Sequence, residues 1–217
     1  MKAIIFDKDG VLIETFDSYL QAYIKILSKI GIKIKGNDVA KRYGIKGTEI
    51  IKQIAAENGK NITDEQAKEL ANEKDKLYLK FSEKNLKLLP GVKELLVYLK
   101  KKNYKIGIAS SASKETIEQM MKVTKIENYI DAIVDGFEVK FSKPDPEIFL
   151  KCAEKLKVKP EDCIVIEDSV HGIEAAKRAG MKSLAVTTGQ TSRKDLESLN
   201  PNWVLNSLED FRKIGEI

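Results

Sequence analysis

The sequence is poor in the residues that hold small secreted or zinc-bound domains together. Its 217 residues include only 2 cysteines, 1 histidine and 1 tryptophan. The two thiols, Cys152 and Cys163, have no closely spaced thiol or imidazole partner, so the sequence predicts neither a zinc site nor a disulfide framework. With 5 prolines and 13 glycines, the chain also differs from collagen-like and low-complexity proteins.

Long apolar runs and blocks of one charge are also missing. No apolar run approaches the length of a membrane span, and the apolar run Ala3–Phe6 is too short for a signal peptide. Lys and Arg number 38 against 33 Asp and Glu, and this small excess of +5 is spread along the chain. We therefore expect a cytoplasmic protein that binds neither membranes nor nucleic acid.

What is present is a regular alternation of short apolar runs with amphipathic helical patterns. An apolar fraction of 42% in a chain of this length supports one large domain or two small ones. The predicted strands are Ala3–Phe6, Lys105–Ala109, Ala132–Val134, Cys163–Ile166, Ser183–Val186 and Trp203–Leu205. This alternation predicts an α/β fold in which helices cover both faces of a parallel sheet.

The stretch after the first strand has a different pattern. Tyr19, Tyr23 and Ile26 repeat at helical spacing, and Thr63 with Gln66 has the form of a capping box at a helix start. No strand pattern interrupts this stretch. We therefore predict a helical cap domain at residues 14–83, inserted into a catalytic core made of residues 1–13 and 84–217.

Polar residues follow the predicted strands, directly after three of them and nine positions after the third, where the chain runs on to Lys143. In a parallel α/β sheet, ligands bind outside the carboxyl ends of the strands, so these residues are expected to lie close together. The set comprises Asp7, Asp9, Ser110, Ser111, Lys143, Glu167 and Asp168. Each residue also has a purely structural interpretation, because Asp-x-Asp-Gly is a common turn and serines or acids cap helices.

Taken together, these residue types indicate phosphoryl chemistry. Several carboxylates at one sheet edge repel one another and require protonation, a cationic side chain or a bound metal. Carboxylate oxygens without His or Cys favour a hard ion such as Mg²⁺, while a hydroxyl, a lysine and backbone amides suit a phosphate. An aspartate beside both can attack phosphorus, and a second carboxylate two residues on can move protons. The pattern predicts metal-assisted phosphoryl transfer through an aspartyl-phosphate.

Four segments resemble, in order, the motifs of the haloacid dehalogenase-like (HAD) superfamily. They are residues 4–12, 106–110, 143–144 and 165–169, and the continuation at 172–181 is similar to the branch that contains phosphoglycolate phosphatases and β-phosphoglucomutases. The resemblance spans nearly the whole predicted core. It implies a Rossmann-like core with an inserted helical cap, and a Mg²⁺-dependent phosphatase acting on small phosphomonoesters.

The resemblance also implies roles for individual residues. Asp7 would be the nucleophile and a metal ligand, and Asp9 would be the acid/base that contributes its backbone carbonyl to the metal. Asp168 would bind the metal, with Glu167 at the metal or beside it. The residues expected to bind the transferring phosphoryl group are Ser110, Ser111 and Lys143, of which the lysine would also hold the nucleophile in place.

Other activities agree less well with these residues. The family's dehalogenases lack an acid at the Asp9 position, so dehalogenation is disfavoured. A phosphorylated signalling module would carry its acceptor on a middle strand and lack a helical insert. A sugar phosphomutase is the stronger alternative. Against it, Tyr19 and Gly47 stand where the resembling mutases have a cap histidine and a cap arginine. In its favour, Lys74 could stand where they have a cap lysine. Lys8 departs from the commoner apolar or Thr residue between the aspartates, and we expect no catalytic consequence.

Substrate selection is expected in the inserted helices. In the loop 42–47, two glycines permit a turn toward the core. Its cations Arg42 and Lys46 could then contact a second anionic group on phosphoglycolate or a sugar phosphate. The alternative is that these residues form a solvated surface loop. His171 is expected to lie at a helix start rather than act as a base. The expected partner is a small phosphorylated metabolite, bound by a monomer or a homodimer.

Overall fold

The computed structural model describes residues 2–82 and 86–215. Its strands are β1 Ala3–Phe6, β2 Lys105–Ala109, β3 Ala132–Val134, β4 Cys163–Glu167, β5 Lys182–Val186 and β6 Trp203–Leu205. They form one six-stranded sheet with the order β3-β2-β1-β4-β5-β6, in which each neighbouring pair is parallel. The predicted parallel sheet is confirmed, and β4 and β5 are each one residue longer than predicted.

The register of the central strands brings the predicted site residues to one edge. Phe6 on β1 pairs with Ile108 on one side and with Ile166 on the other. Asp7, directly after β1, and Glu167, the last residue of β4, therefore lie at the same level of the sheet. The strand order changes direction beside β1, and in open α/β sheets this switch point forms the crevice in which ligands bind.

Helices pack on both faces of the sheet because each central strand is apolar on both sides. Ile4 and Phe6 belong to one buried cluster, whereas Ala3 and Ile5 belong to another. The helices that follow in the core are α5 Val92–Lys101, α6 Lys114–Thr124, α7 Glu147–Leu156, α8 Val170–Arg178 and α9 Arg193–Ser198. Side chains of α5 and α6 complete the first cluster, and those of α7 and α8 complete the second.

Between β1 and α5 the chain forms helices with a hydrophobic cluster of their own. They are α1 Phe16–Lys29, α2 Gly36–Ala40, α3 Gly47–Glu57 and α4 Asp64–Ser82. The predicted capping box precedes α4, because Thr63 and Gln66 exchange two hydrogen bonds between side chain and backbone. The predicted domain boundary between residues 83 and 84 lies outside the described residues. None of the helices that the structure describes is both long and apolar enough to cross a bilayer.

Candidate active site

The carboxylate of Asp7 lies just beyond β1 and is almost completely buried. Its Oδ1 accepts a hydrogen bond from Lys143 Nζ at 2.6 Å, and its Oδ2 accepts one from the Asp9 backbone N–H at 3.1 Å. Lys143 Nζ also donates to Glu167 Oε1 at 2.5 Å. One buried ammonium thus lies between two buried carboxylates that come from neighbouring strands.

Glu167 and the following Asp168 differ in how their oxygens are used. Oε2 of Glu167 accepts hydrogen bonds from the backbone N–H groups of Asp168 and Ser169 and from the Ser169 hydroxyl, at 3.0, 3.1 and 2.9 Å. Because Lys143 occupies Oε1, both oxygens of Glu167 are engaged. Oδ2 of Asp168, in contrast, is buried and has no hydrogen-bond partner within the described residues. Asp168 therefore offers the freer oxygen to a ligand.

The three carboxylates have the geometry and chemistry of a divalent-metal site. Asp7, Glu167 and Asp168 each place an oxygen within 4.8 Å of the others. Burial, offset in part by Lys143, raises the pKa of Asp7 to about 7, and burial together with Glu167 raises that of Asp168 well above its ordinary value. One ammonium does not balance three carboxylates, whereas a hard divalent cation with oxygen ligands does. The unpartnered Asp168 oxygen fits such an ion.

Gly10 allows the chain to pass close to this cluster. Its φ is +77°, and a Cβ at this position would lie 2.3 Å from Asp168 Oδ2. A side chain would therefore both strain the backbone and occupy the place next to the free oxygen. The glycine after the Asp-x-Asp pair thus serves the site as well as the turn.

Asp9 lies apart from the three clustered carboxylates and faces a cation of its own. Its Oδ1 accepts a hydrogen bond from Lys8 Nζ at 2.7 Å, and its side chain lines a small cavity beside Asp7. Lys8 is fully buried. Burial alone would lower the pKa of Lys8, but the adjacent Asp9 carboxylate raises it above its ordinary value.

The two predicted phosphate-binding serines differ in their contacts. Ser110 follows β2, is buried, and its Oγ accepts a hydrogen bond from the Ala112 N–H at 3.2 Å. Ser111 Oγ donates to the carbonyl of Gly44 at 2.7 Å. Both serines line the cavity beside Asp7. The Ser110 hydroxyl retains its proton for a ligand, whereas the Ser111 hydroxyl joins the core to the helical layer.

The loop 42–47 does reach down to the core. The carbonyl of Tyr43 accepts a hydrogen bond from His171 Nδ1 at 3.2 Å, and Lys46 Nζ donates to the Val139 carbonyl at 2.6 Å. Gly44 has a φ of +94°, and a Cβ there would lie 2.6 Å from Ser169 Oγ, so the close approach depends on glycine. His171 lies in the first turn of α8, where it contacts the loop.

Arg42 does not take the position that the sequence predicted for it. Its guanidinium donates to the Asp38 carbonyl at 2.6 Å, to Gln53 Oε1 at 3.0 Å and to Glu57. It is 5% exposed and is absent from the lining of the cavity that contains Asp7. The cation joins α3 to the turn after α2 because a buried guanidinium needs several acceptors, and these lie within the helical layer. Lys46 is likewise bound to core carbonyls rather than free.

The cavity beside Asp7 is small and lies between the core and the helical layer. Its volume is about 40 Å³, which is room for a few water molecules. The side chains that line it from the helical layer include Tyr19, Tyr23, Tyr43 and Lys74. A second cavity of about 480 Å³ shares Gly47, Lys74 and Ser111 with the first and reaches the surface.

Sequence reasoning did not place Tyr23 or the partner of Asp9 at the site, and it singled out Tyr19 only as the residue at the position of the mutases' cap histidine. Residues after strands are easy to select, whereas Tyr19 and Tyr23 lie within a helical pattern and read as core positions. The position of Lys8 between two aspartates was the one signal for its role. From the sequence we expect no catalytic consequence of this lysine.

Comparison with known proteins agrees with this geometry. The family model described as haloacid dehalogenase-like hydrolase matches residues 4–186. The chain is 36% identical to a β-phosphoglucomutase of Bacillus subtilis over 94% of this chain and 96% of that one, and 35% identical to a phosphorylated carbohydrates phosphatase of Thermotoga maritima over 85% and 84%. A solved β-phosphoglucomutase of Clostridium difficile superposes with a TM-score of 0.88 at 33% identity, covering 98% of this chain and 93% of that one.

The match extends from β1 through β5 and includes each strand end that carries a site residue. The chain is therefore an enzyme that belongs to the haloacid dehalogenase-like hydrolase family.

Proposed function

We propose that the protein is a Mg²⁺-dependent phosphatase that hydrolyses small phosphomonoesters through an aspartyl-phosphate on Asp7. The observation that carries the proposal is the arrangement around this carboxylate. Lys143 fixes one oxygen and the Asp9 N–H fixes the other, at the wall of a cavity that also contains Ser110. In-line attack on phosphorus requires a carboxylate that is held in place next to groups able to bind phosphate.

In the first step, an oxygen of Asp7 attacks phosphorus and the bond from phosphorus to the ester oxygen breaks. The departing oxygen takes a proton from the Asp9 carboxyl, which lines the same cavity. In this proposal the Ser110 hydroxyl, which lines the cavity, and Lys143, which already donates to Asp7 and Glu167, bind oxygens of the transferring group. The products are an aspartyl-phosphate and an alcohol.

In the second step, Asp9, now ionised, accepts a proton from a water molecule that attacks the phosphorus of the aspartyl-phosphate. The bond from phosphorus to Asp7 breaks, which releases inorganic phosphate and restores both carboxyl groups to their starting states. Asp7, Asp168 and the Asp9 carbonyl would hold Mg²⁺, with Glu167 orienting Lys143. When bound, Mg²⁺ supplies positive charge that neutralises the phosphoryl oxygens.

The substrate class that we propose is a small phosphate ester, of the phosphoglycolate or sugar-phosphate type. The relatives named above support phosphorylated carbohydrates as the nearer group. A cavity of about 40 Å³ beside Asp7 excludes a large leaving group in this arrangement. A sugar would extend toward the second cavity past Gly47 and Lys74, or the helical layer would lift before binding.

A sugar phosphomutase is the second candidate, favoured by the similarity to β-phosphoglucomutases and by Lys74 in the cavity wall. A mutase must keep water away from the phosphoenzyme and return the phosphoryl group to the substrate. Tyr19 is buried at the position where those mutases have a cap histidine, and its ring stacks on that of Tyr78 with centroids 4.4 Å apart. We therefore favour hydrolysis.

The test measures phosphate release and isomerisation on the same substrates, with and without Mg²⁺. The panel contains phosphoglycolate, hexose 6-phosphates and β-glucose 1-phosphate. We expect Mg²⁺-dependent hydrolysis that is lost in Asp7→Asn and retained in Asp162→Asn, a matched change at an exposed position. Isomerisation of β-glucose 1-phosphate faster than its hydrolysis would support the mutase, and hydrolysis that survives Asp7→Asn would contradict the mechanism.

A further inference from the structure

Lys8 is a buried lysine that stands between Asp7 and Asp9 in the sequence. Its side chain has no measurable exposure. Its Nζ lies 2.7 Å from Asp9 Oδ1, 4.9 Å from the centroid of the Tyr78 ring and 5.5 Å from that of Tyr19. The ammonium is thus enclosed by one carboxylate and two aromatic rings.

Burying this cation is costly unless its partners compensate. The effective penalty for removing an ammonium from water is several kcal/mol, and one ion pair with two cation–π contacts recovers part of it. An apolar side chain of similar volume would fill the same space without that penalty. Stability of the fold alone therefore gives no reason for a lysine at this position.

The contacts of Asp9 indicate a function for the positive charge of Lys8. Among residues 2–82 and 86–215, the Asp9 carboxylate has one side-chain hydrogen-bond partner, Lys8, which binds Oδ1. The carboxylate is 13% exposed and lines the cavity beside Asp7. A carboxylate at a cavity wall without such a partner would be free to rotate about its side-chain torsions. Lys8 removes this freedom by fixing one oxygen.

We propose that Lys8 is a positioning residue for Asp9, holding the carboxyl group in the orientation from which it passes a proton to the departing ester oxygen. The inference rests on the proposed phosphatase function, in which Asp9 is the acid and base. It differs from our expectation from the sequence, which gave Lys8 no catalytic consequence. The geometric reason is that general acid catalysis needs the proton within hydrogen-bond reach of the leaving oxygen.

The same contacts connect Asp9 to the helical layer. Tyr19 belongs to α1 and Tyr78 to α4, and their rings stack against each other. Both rings also face Lys8. Lys8 therefore connects the Asp9 carboxylate to side chains of α1 and α4.

The test compares two esters that differ in their need for an acid. An alkyl phosphate such as glycerol phosphate must have its departing oxygen protonated, whereas p-nitrophenyl phosphate releases a stable anion without a proton. The quantity to measure is kcat/KM, which reports the steps up to departure of the leaving group. The variants are Lys8→Met, which keeps the length but loses the charge, and Lys8→Arg, which keeps the charge.

We expect Lys8→Met to lower kcat/KM for glycerol phosphate by roughly 10- to 100-fold, a part of the 10²–10⁴ that acid catalysis supplies. The value for p-nitrophenyl phosphate should stay near that of the unmodified protein, and Lys8→Arg should restore much of the alkyl ester activity. In an Asp9→Asn background, Lys8→Met should cause no further loss. Lys93→Met is the matched control, since Lys93 Nζ lies 4.3 Å from the Tyr129 ring centroid, outside the site.

Equal losses for both esters, no loss for either, or a further loss in the Asp9→Asn background would overturn the proposal. If Lys8→Met fails to fold in a thermal melt, Lys8→Gln provides the same comparison. A crystal structure of the neutral variant gives a readout that does not depend on activity: the Asp9 carboxylate should leave its position beside residue 8, and an unchanged position would refute the role. The unmodified protein and Asp7→Asn test the phosphatase function separately, since inactivity of the unmodified protein on both esters and on the substrate panel above overturns that function, whereas the position of the Asp9 carboxylate in the neutral variant still tests the role of Lys8.

Discussion

The ammonium of Lys143 lies 2.6 Å from Oδ1 of Asp7, although 136 positions separate the two residues in the chain. The lysine also binds Glu167, and all three side chains are buried. This contact keeps one oxygen of Asp7 in place. It also offsets part of the free-energy cost of burying an ionised carboxylate. The site is therefore assembled around a cation even before a metal binds.

The first prediction concerns the pH dependence of stability in the metal-free protein. The pKa of Asp7 is raised from 3.8 to about 7, chiefly by burial, so the folded state binds more protons than the unfolded state between these values. Asp7 therefore makes the free energy of unfolding decrease as the pH rises from about 4 to about 7. Urea titrations in EDTA should show a more negative slope with pH for the unmodified protein than for Asp7→Asn.

Added Mg²⁺ provides the control for this effect. The ion binds the deprotonated carboxylates, so it should raise the free energy of unfolding more at neutral pH than at pH 4. Parallel pH profiles for the unmodified protein and Asp7→Asn would contradict the raised pKa.

The second prediction concerns the metal ligands. Oδ2 of Asp168 is buried without a partner within residues 2–82 and 86–215, so Asp168→Asn should weaken Mg²⁺ binding by roughly 10- to 100-fold or more. Titration calorimetry measures the affinity directly. Asp162→Asn, an exposed neighbour on the same chain segment, should bind Mg²⁺ as the unmodified protein does. An Asp168→Asn protein with unchanged affinity would remove this residue from the metal site.

The third prediction compares two glycines with positive φ in the helical layer. Gly44 has a φ of +94° and its Cβ would meet Ser169 Oγ at 2.6 Å, whereas Gly59 has a φ of +68° and nothing within 4 Å. Alanine at either position should cost about 1–2 kcal/mol of stability through backbone strain. Only Gly44→Ala should also lower kcat/KM, because the loop could no longer approach the core. Equal kinetic effects in the two variants would argue against a role for the loop in covering the site.

The fourth prediction concerns Arg42. Because its guanidinium is buried and donates to Asp38, Gln53 and Glu57, Arg42→Met should lower the free energy of unfolding by about 2 kcal/mol or more while KM changes little. Lys41→Met is the matched control, since Lys41 is an exposed cation next to the same glutamate, and it should have little effect. A large rise in KM without loss of stability would instead favour the anion-binding role that the sequence suggested.

Much of the core could be predicted from the sequence because its signals are local. Each buried parallel strand is a short apolar run, and the residue after it is polar because a ligand site follows there. For that reason the strands at 3–6 and 163–166 were predicted from pattern alone, and Asp7, Lys143 and Glu167 were selected as candidate site residues. The capping box at Thr63 is equally local, because its two hydrogen bonds join residues three apart.

The tertiary structure alone decided which way each long side chain points. Arg42 and Lys8 have the same charge and are both buried, yet the first binds groups within the helical layer and the second binds Asp9. It also decided that Glu167 uses both of its oxygens, while Oδ2 of Asp168 has no hydrogen-bond partner in the part of the chain that the structure describes. Sequence sets which residue types reach the sheet edge, but a buried charge takes the rotamer that brings it to its partner, and that partner comes from a distant part of the chain.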